Sequence, residues 1–305
     1  MHHYKQHTVN QIIKIDLPPI FSFNECLYFL DRGYDDCLHQ INKNTITKAL
    51  LFDNNPVLIH LSYEENQLCV EILTGGELQN LTYRLKNYIL GWFDLSRNLD
   101  EFYRMAQGDA ILSILIKRYY GLRLVGIENL FEALCWAILG QQINLVFAYK
   151  TKRALVEKYG KFVAYKQEKY YLFPDPADLL TCQVDDLLRL QISRTKARSI
   201  LELARLFSLK GYNSTDIIFK NDPQQVKNLL TSWYGVGPWT AQYTMMRCLK
   251  QQNAFPVQDV GLQNAVKQIL GLADKPSEDQ LHALARGWKN WEAYATLYLW
   301  RSLAD

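Results

Sequence analysis

The sequence predicts an α+β protein in two parts: a small antiparallel-sheet domain with one helix over residues 1–115, followed by an all-α domain over residues 116–305. Three observations carry this expectation. Short β-branched and aromatic runs broken by turn residues fill the first part, and apolar residues at helical spacing fill the second. A glycine- and proline-marked hairpin then joins two of the predicted helices near residues 223–250.

The strands come first. Thr45–Phe52 runs into the turn Asp53-Asn-Asn-Pro56, Val57–Tyr63 into the turn Glu64-Glu-Asn66, and Gln67–Leu73 ends before Gly75-Gly76, the pattern of a β-meander. Upstream, Asn24–Leu30 reads as a short helix packed on that sheet.

From about residue 116 the period changes. Leu130–Leu139 sets Phe131, Leu134, Cys135, Ile138 and Leu139 along one face, and Asn144 to Tyr159 reads as a second helix closed by Gly160. Helical runs follow over Pro176–Leu190, Lys196–Leu209, Pro223–Trp233, Pro238–Lys250, Gly261–Leu270, Glu278–Trp288 and Trp291–Leu303. Lys161–Phe173, rich in Lys and Tyr, reads as an irregular loop.

Composition narrows the function classes. A chain of 305 residues with 49% hydrophobic content can bury a large core, and its length suits two or three domains. No run reaches the ~18 apolar residues of a membrane span, and Met1–Asn10 is too polar for a signal sequence, so the expected location is the cytoplasm. Six cysteines (Cys26, Cys37, Cys69, Cys135, Cys182, Cys248) lack Cys-x-x-Cys spacing, which indicates reduced thiols in place of a disulfide or zinc framework. Residues 1–115 hold 9 basic and 14 acidic side chains, net −5, against 25 and 17, net +8, in residues 116–305. The basic part is the one to face a polyanion.

The hairpin supplies the chemistry. Leu229–Tyr243 contains Gly235-Val-Gly237 and then Pro238, so an apolar helix end turns through two glycines that permit positive φ and close backbone approach before a second helix begins. This helix-hairpin-helix presents amide N–H groups at a helix N-terminus, which hold a phosphate without reading a base. Sixteen residues beyond Tyr243 stands Asp259, after Pro256 and before the helical run Leu262–Leu270. Taken alone, an Asp at that place is an N-cap.

Three blocks, Phe131–Ile143, the hairpin through Tyr243, and Pro256–Leu262, together resemble the DNA-3-methyladenine glycosylase II family, the bacterial alkylation-repair type of the helix-hairpin-helix DNA glycosylase superfamily. The resemblance spans nearly the whole chain. It implies an N-terminal α+β domain, a helical core of two subdomains with a cleft between them, and a monomeric enzyme that flips alkylated purines out of damaged double-stranded DNA and hydrolyses their glycosidic bonds.

The resemblance assigns roles residue by residue. Asp259 matches the catalytic carboxylate, whose fixed negative charge stabilises the positive charge that develops at C1′ as the base leaves. Trp239 stands where bifunctional relatives carry a Schiff-base lysine; Thr240, Gln242 and Thr244 supply no amine and Lys250 is too far along, so a hydrolase without lyase activity is implied. Trp239, Tyr243, Trp300 and, upstream, Phe29 are the expected base-binding aromatics; electron-rich ring faces favour a cationic alkylated purine.

Gln141 and Gln142, next to Gly140, read either as exposed helix-end residues or as a wedge that fills the gap left by a flipped nucleotide. Gly235, Gly237, Thr240, Arg194, Lys196 and Arg198 are the expected phosphate contacts. The backbone carbonyls of Thr231, Trp233 and Val236 match a monovalent-cation position. No cysteine follows Cys248, so no iron–sulfur cluster is expected. Two further readings stay open: a non-catalytic helix-hairpin-helix DNA-binding module, and a glycosylase for oxidised guanine.

Overall fold

The computed structural model describes residues 12–31, 33–75 and 78–304, with backbone alone at 218–220. Met1–Asn10 and Gly76 of the expected turn lie outside the described residues. In chain order the elements are β1 (Ile12–Asp16), α1 (Phe23–Leu30), β2 (Gln40–Asn42), β3 (Thr45–Phe52), β4 (Asn55–Glu64), β5 (Gln67–Thr74), α2 (Leu81–Trp92), α3 (Asp100–Gln107), α4 (Leu112–Arg118), α5 (Leu130–Gly140) and α6 (Leu145–Tyr159). There follow β6 (Phe162–Tyr165), β7 (Glu168–Tyr171), α7 (Val184–Leu188), α8 (Arg194–Lys210), α9 (Ser214–Lys220), α10 (Pro223–Thr231), α11 (Pro238–Arg247), α12 (Val260–Leu270), α13 (Glu278–Ala285) and α14 (Glu292–Ser302). They form two compact units, each assembled from separate stretches: β1 with Gly33–Ile89 and Ile138–Gly211, and Pro18–Arg32 with Leu90–Ala137 and Tyr212–Asp305.

The first unit is built on a five-stranded antiparallel sheet in the order β1-β5-β4-β3-β2. Its two central hairpins turn on Asp53-Asn54 and Glu65-Asn66, all four residues at positive φ, the two-residue turn whose twist matches that of paired strands. Outer strands β1 and β2 escape a reading of the sequence because each is short. The sheet buries Ile46, Leu58, Ile59, Leu61, Leu68 and Val70 completely.

The Lys161–Phe173 segment is not irregular. β6 and β7 pair as a hairpin, and Val163 and Leu172 pack with Ala49 and Leu58. Positive φ at Lys166 and Gln167 makes its turn, and the abundance of Lys and Tyr masked the alternation. In the same unit the Lys152 ammonium, itself buried, sits 3.0 Å from the Asp36 carboxylate.

The second unit is helical. α1 belongs to this unit and not to the sheet-bearing one: Glu25 pairs with Arg301 at 2.7 Å, and Phe29 lies under the Arg247 guanidinium. Arg123 is fully buried and anchors the unit by donating to the carbonyls of Ile20, Asp94 and Arg97.

After the sheet, helices resume at Leu81, well before residue 116: α2 and α3 precede that residue and α4 spans it. The expected helix over Pro176–Leu190 is interrupted. Asp175 and Asp178 form one capping box and Gln183 and Asp186 a second, so side chains take the amides that a continuous helix would use. All six cysteines are buried free thiols. Among the described residues no helix is long and apolar enough to cross a membrane.

Candidate active site

The hairpin places the site. Asp222 caps α10 through a capping box with Gln225, and Pro223 occupies the first turn. The chain then turns at Gly235, whose φ of +81° needs a glycine, and enters α11 with Gly237 as N-cap and Pro238 behind it. Gly237 itself has φ −82°, so positive φ is confined to Gly235. Its value lies elsewhere: it offers no capping side chain to the first amides of α11, and nothing stands within 4 Å of where a Cβ would project. Trp233 and Val236 are buried and pin the turn from inside. Thr240 is buried as well, which withdraws its hydroxyl from an exposed phosphate surface and leaves only its backbone to play that part.

α11 carries Trp239 and Tyr243 four residues apart on one face. Asp259 approaches from the loop after α11, which is tied to that helix where the Gln242 side-chain oxygen accepts the Phe255 N–H at 2.9 Å. Asp259 is the N-cap of α12, with Oδ1 accepting the Leu262 N–H at 2.7 Å. The same carboxylate takes two more donors: the Trp300 indole N–H at 2.8 Å on Oδ1 and the Trp239 indole N–H at 2.9 Å on Oδ2. The cap therefore fixes the carboxylate while the two indoles aim it. Space for this is made at Gly261, where an added Cβ would stand 2.9 Å from Asp259 Oδ1 and 3.3 Å from the Trp300 ring.

Three of the four expected aromatics meet here. The Tyr243 ring centroid lies 5.4 Å from that of Trp239 and 6.0 Å from that of Trp300. A base sandwiched between two rings needs roughly 7 Å between their faces, two stacking distances, so Tyr243 is the floor of one continuous aromatic wall and the half-buried indoles are its accessible faces.

Beneath the floor is a network absent from the sequence reading. The Tyr243 hydroxyl accepts the Trp136 indole N–H at 2.8 Å and an Arg247 N–H at 3.1 Å. Arg247 is buried, donates through Nε to the Val125 carbonyl at 2.9 Å, and lies 4.7 Å above the centroid of the Phe29 ring. Phe29 thus joins the aromatic group through Arg247. The spacing Trp239, Tyr243, Arg247 was a usable signal, each four residues on from the last. For Trp136 the only hint was an indole in an apolar helix, which must find an acceptor.

The remaining expected residues sit elsewhere. Lys250, half-buried, donates to the Leu124 carbonyl and stands 3.6 Å from Glu128; desolvation lowers its pKa. In the sheet-bearing unit, Gln142 is exposed at φ +53°, and the exposed apolar side chains of Leu145 and Val146 follow at the start of α6. Arg194 and Arg198 are exposed, the former 3.4 Å from Asp185. Lys196 is not an open phosphate ligand. It is half-buried and donates to the carbonyls of Leu139 and Gln141, at 2.8 Å each. A cleft of about 590 Å³ opens beside Trp239, but neither Asp259 nor Trp300 is among its walls.

Comparison with known proteins identifies the family. Residues 135–291 match the HhH-GPD superfamily of base excision DNA repair proteins, and residues 21–134 match the N-terminal domain of 8-oxoguanine DNA glycosylase. The chain is 38% identical over 300 residues to a DNA-3-methyladenine glycosylase of Bacillus subtilis, covering 97% of this chain and 99% of that one. Its fold matches the 3-methyladenine DNA-glycosylase of Archaeoglobus fulgidus with TM-score 0.82 at 25% identity, covering 94% and 97% of the two chains. An 8-oxoguanine glycosylase/lyase of Clostridium acetobutylicum, solved with double-stranded DNA, shares the fold at TM-score 0.68 and 18% identity over 87% of this chain and 96% of that one.

The chain belongs to the HhH-GPD superfamily of base excision DNA repair proteins, and it is an enzyme of the DNA glycosylase class. Within that class it falls in the DNA-3-methyladenine glycosylase family.

Proposed function

We propose that this enzyme hydrolyses the N-glycosidic bond of alkylated purines of the 3-methyladenine and 7-methylguanine type in double-stranded DNA, and leaves an intact abasic strand. The observation that carries the proposal is the Asp259 carboxylate held by the indole N–H groups of Trp239 and Trp300 at the edge of an aromatic wall. As the base departs, positive charge grows on the sugar, and a carboxylate already oriented by three N–H donors stabilises it without reorganising. It also helps to orient the attacking water. The indole faces attract a cationic purine by roughly 0.5–2 kcal/mol per favourable contact.

Absence of lyase chemistry rests on Trp239, which supplies an indole where the lyase relatives are expected to carry an amine. The match of the N-terminal region to 8-oxoguanine glycosylases favours the oxidised-guanine reading, and one experiment separates the two. Single-turnover release from methylated DNA should give free base and an uncut abasic strand, and borohydride should trap no enzyme–DNA adduct. A trapped adduct, or preferred release of 8-oxoguanine, would move the assignment to a lyase.

DNA is gripped at the turn from Gly235 to Thr240 through backbone amides, with Arg194 and Arg198 as charged contacts and Gln142 as the wedge. A carbonyl set from Thr231, Trp233 and Val236 suits a monovalent cation, being neutral and all-oxygen; the Trp233 carbonyl already accepts the Val236 N–H at 3.1 Å and keeps one lone pair. The same reading has the protein act as a cytoplasmic monomer without an iron–sulfur cluster.

A further inference from the structure

Cations in the first turn of a helix oppose its dipole, yet α8 places Arg194 and Lys196 there, with Arg198 just beyond. A local rule broken twice in one turn calls for a reason outside the helix. For Lys196 the structure supplies one. Its ammonium donates at 2.8 Å to the carbonyl of Leu139 and at 2.8 Å to that of Gln141, at the end of α5. Carbonyls there have no partner further along their own helix, and a cation suits that end of the dipole. Burial lowers the pKa of the amine, but the two carbonyls hold it in place.

The tie has a mechanical consequence. Gln142 follows at φ +53°, a left-handed conformation that disfavours a non-glycine residue and persists where neighbouring contacts enforce it. Lys196 grips the carbonyls on both sides of Gly140, immediately before that residue. Beyond it, Asn144 caps α6 by accepting the Phe147 N–H at 2.9 Å, which fixes the far end of the turn. Gln142 is thus held out into solvent from both sides, with Leu145 and Val146 exposed next to it.

We propose that Lys196 is a positioning residue for base flipping: its ammonium locks the turn that projects Gln142, and it does not act as a phosphate ligand. The proposal rests on the reading of Gln142 as the wedge. Two donors to carbonyls also explain why a basic residue at a helix start is only half exposed, whereas Arg194 and Arg198 remain exposed.

The test compares Lys196→Met, Lys196→Arg and Gln142→Ala in the full chain. Three quantities are read: the fluorescence of 2-aminopurine placed next to an alkylated base, single-turnover excision by the bound complex, and the salt dependence of DNA affinity. Lys196→Met should fold, lose roughly tenfold in flipping and excision, as for hydrogen bonds from a charged group, and keep the salt slope of the wild type. Lys196→Arg should restore flipping, and Lys196→Met combined with Gln142→Ala should be no worse than Gln142→Ala alone.

A salt slope smaller by about one, with flipping unchanged, would mark a phosphate contact and overturn the proposal. Impaired flipping by Gln142→Ala with full flipping by Lys196→Met would overturn it while sparing the wedge. Full flipping by Gln142→Ala would remove the wedge reading and this proposal with it. Hydrogen exchange at the amides of residues 141–146 gives an independent readout: faster exchange in Lys196→Met supports the lock, and unchanged exchange denies it.

Discussion

Trp300 donates its indole N–H to Asp259 Oδ1 at 2.8 Å, so a side chain on the last helix orients a carboxylate at the start of α12. Trp239 does the same for Oδ2 from the hairpin helix. Trp239 and Trp300 therefore aim the acid through their ring edges while their faces stay partly exposed.

Asp259→Asn should fold and bind DNA, because an Asn oxygen can still cap α12. Base release should fall by about a hundredfold or more, the scale of removing a fixed electrostatic partner of the transition state. Gel-shift affinity with single-turnover excision measures both. Excision close to wild type would end the catalytic assignment of Asp259.

Trp300→Phe keeps a ring and deletes the N–H. Loss of a hydrogen bond to a charged group costs about 1.5–3 kcal/mol, so excision should drop by roughly ten- to a hundredfold with base affinity little changed. Gly261→Ala should act in the same direction by pushing its methyl onto Asp259 and Trp300. Stopped-time excision against product-base inhibition separates the two effects. A defect confined to base binding would mean that the N–H of Trp300 is idle.

Tyr243→Phe preserves the aromatic floor but removes the acceptor that Trp136 and Arg247 share. Both donors are buried, so the variant should lose about 1–3 kcal/mol of stability, while the folded enzyme still excises. Thermal unfolding followed by circular dichroism is the measurement; an unchanged midpoint would show the network to contribute nothing.

Acid should weaken the sheet-bearing unit first at Asp36. Burial would raise this carboxyl, but the Lys152 ammonium, with help from His39 and the Leu38 N–H, holds it well below the usual carboxylate range. A carboxyl whose folded pKa lies below the unfolded value of about 3.9 contributes stability above that pH and loses it as pH falls toward the folded value. Asp36→Asn should cost about 3–5 kcal/mol near neutral pH, because Lys152 stays buried without its counter-charge. The variant should also show a shallower fall in stability below pH 4. Urea midpoints between pH 3 and 7 test this, and parallel curves for the two proteins would refute it.

Elements written in short-range chemistry were legible in the chain. β3, β4 and β5 follow from β-branched runs broken by residues that accept positive φ, and α5, α6, α10, α11 and α12 from apolar periodicity bounded by Asn144, Asp222, Pro223 and Pro238. Asp259 and the spacing of Trp239 to Tyr243 were visible for the same reason. Periodicity reports which face of a helix is apolar, and that is a local property.

Packing alone decided the rest. β1 adds to the sheet through pairing with β5 more than fifty residues away, and α1 joins the helical unit, where Glu25 and Phe29 find Arg301 and Arg247 in another part of the chain. The Trp136–Tyr243–Arg247 network, the double indole grip on Asp259 and the Lys196 tie to the end of α5 all join groups far apart in sequence. A buried donor must find an acceptor, so the need for a partner was written in these residue types. Which partner answers depends on the three-dimensional approach of helices, and linear spacing does not encode it.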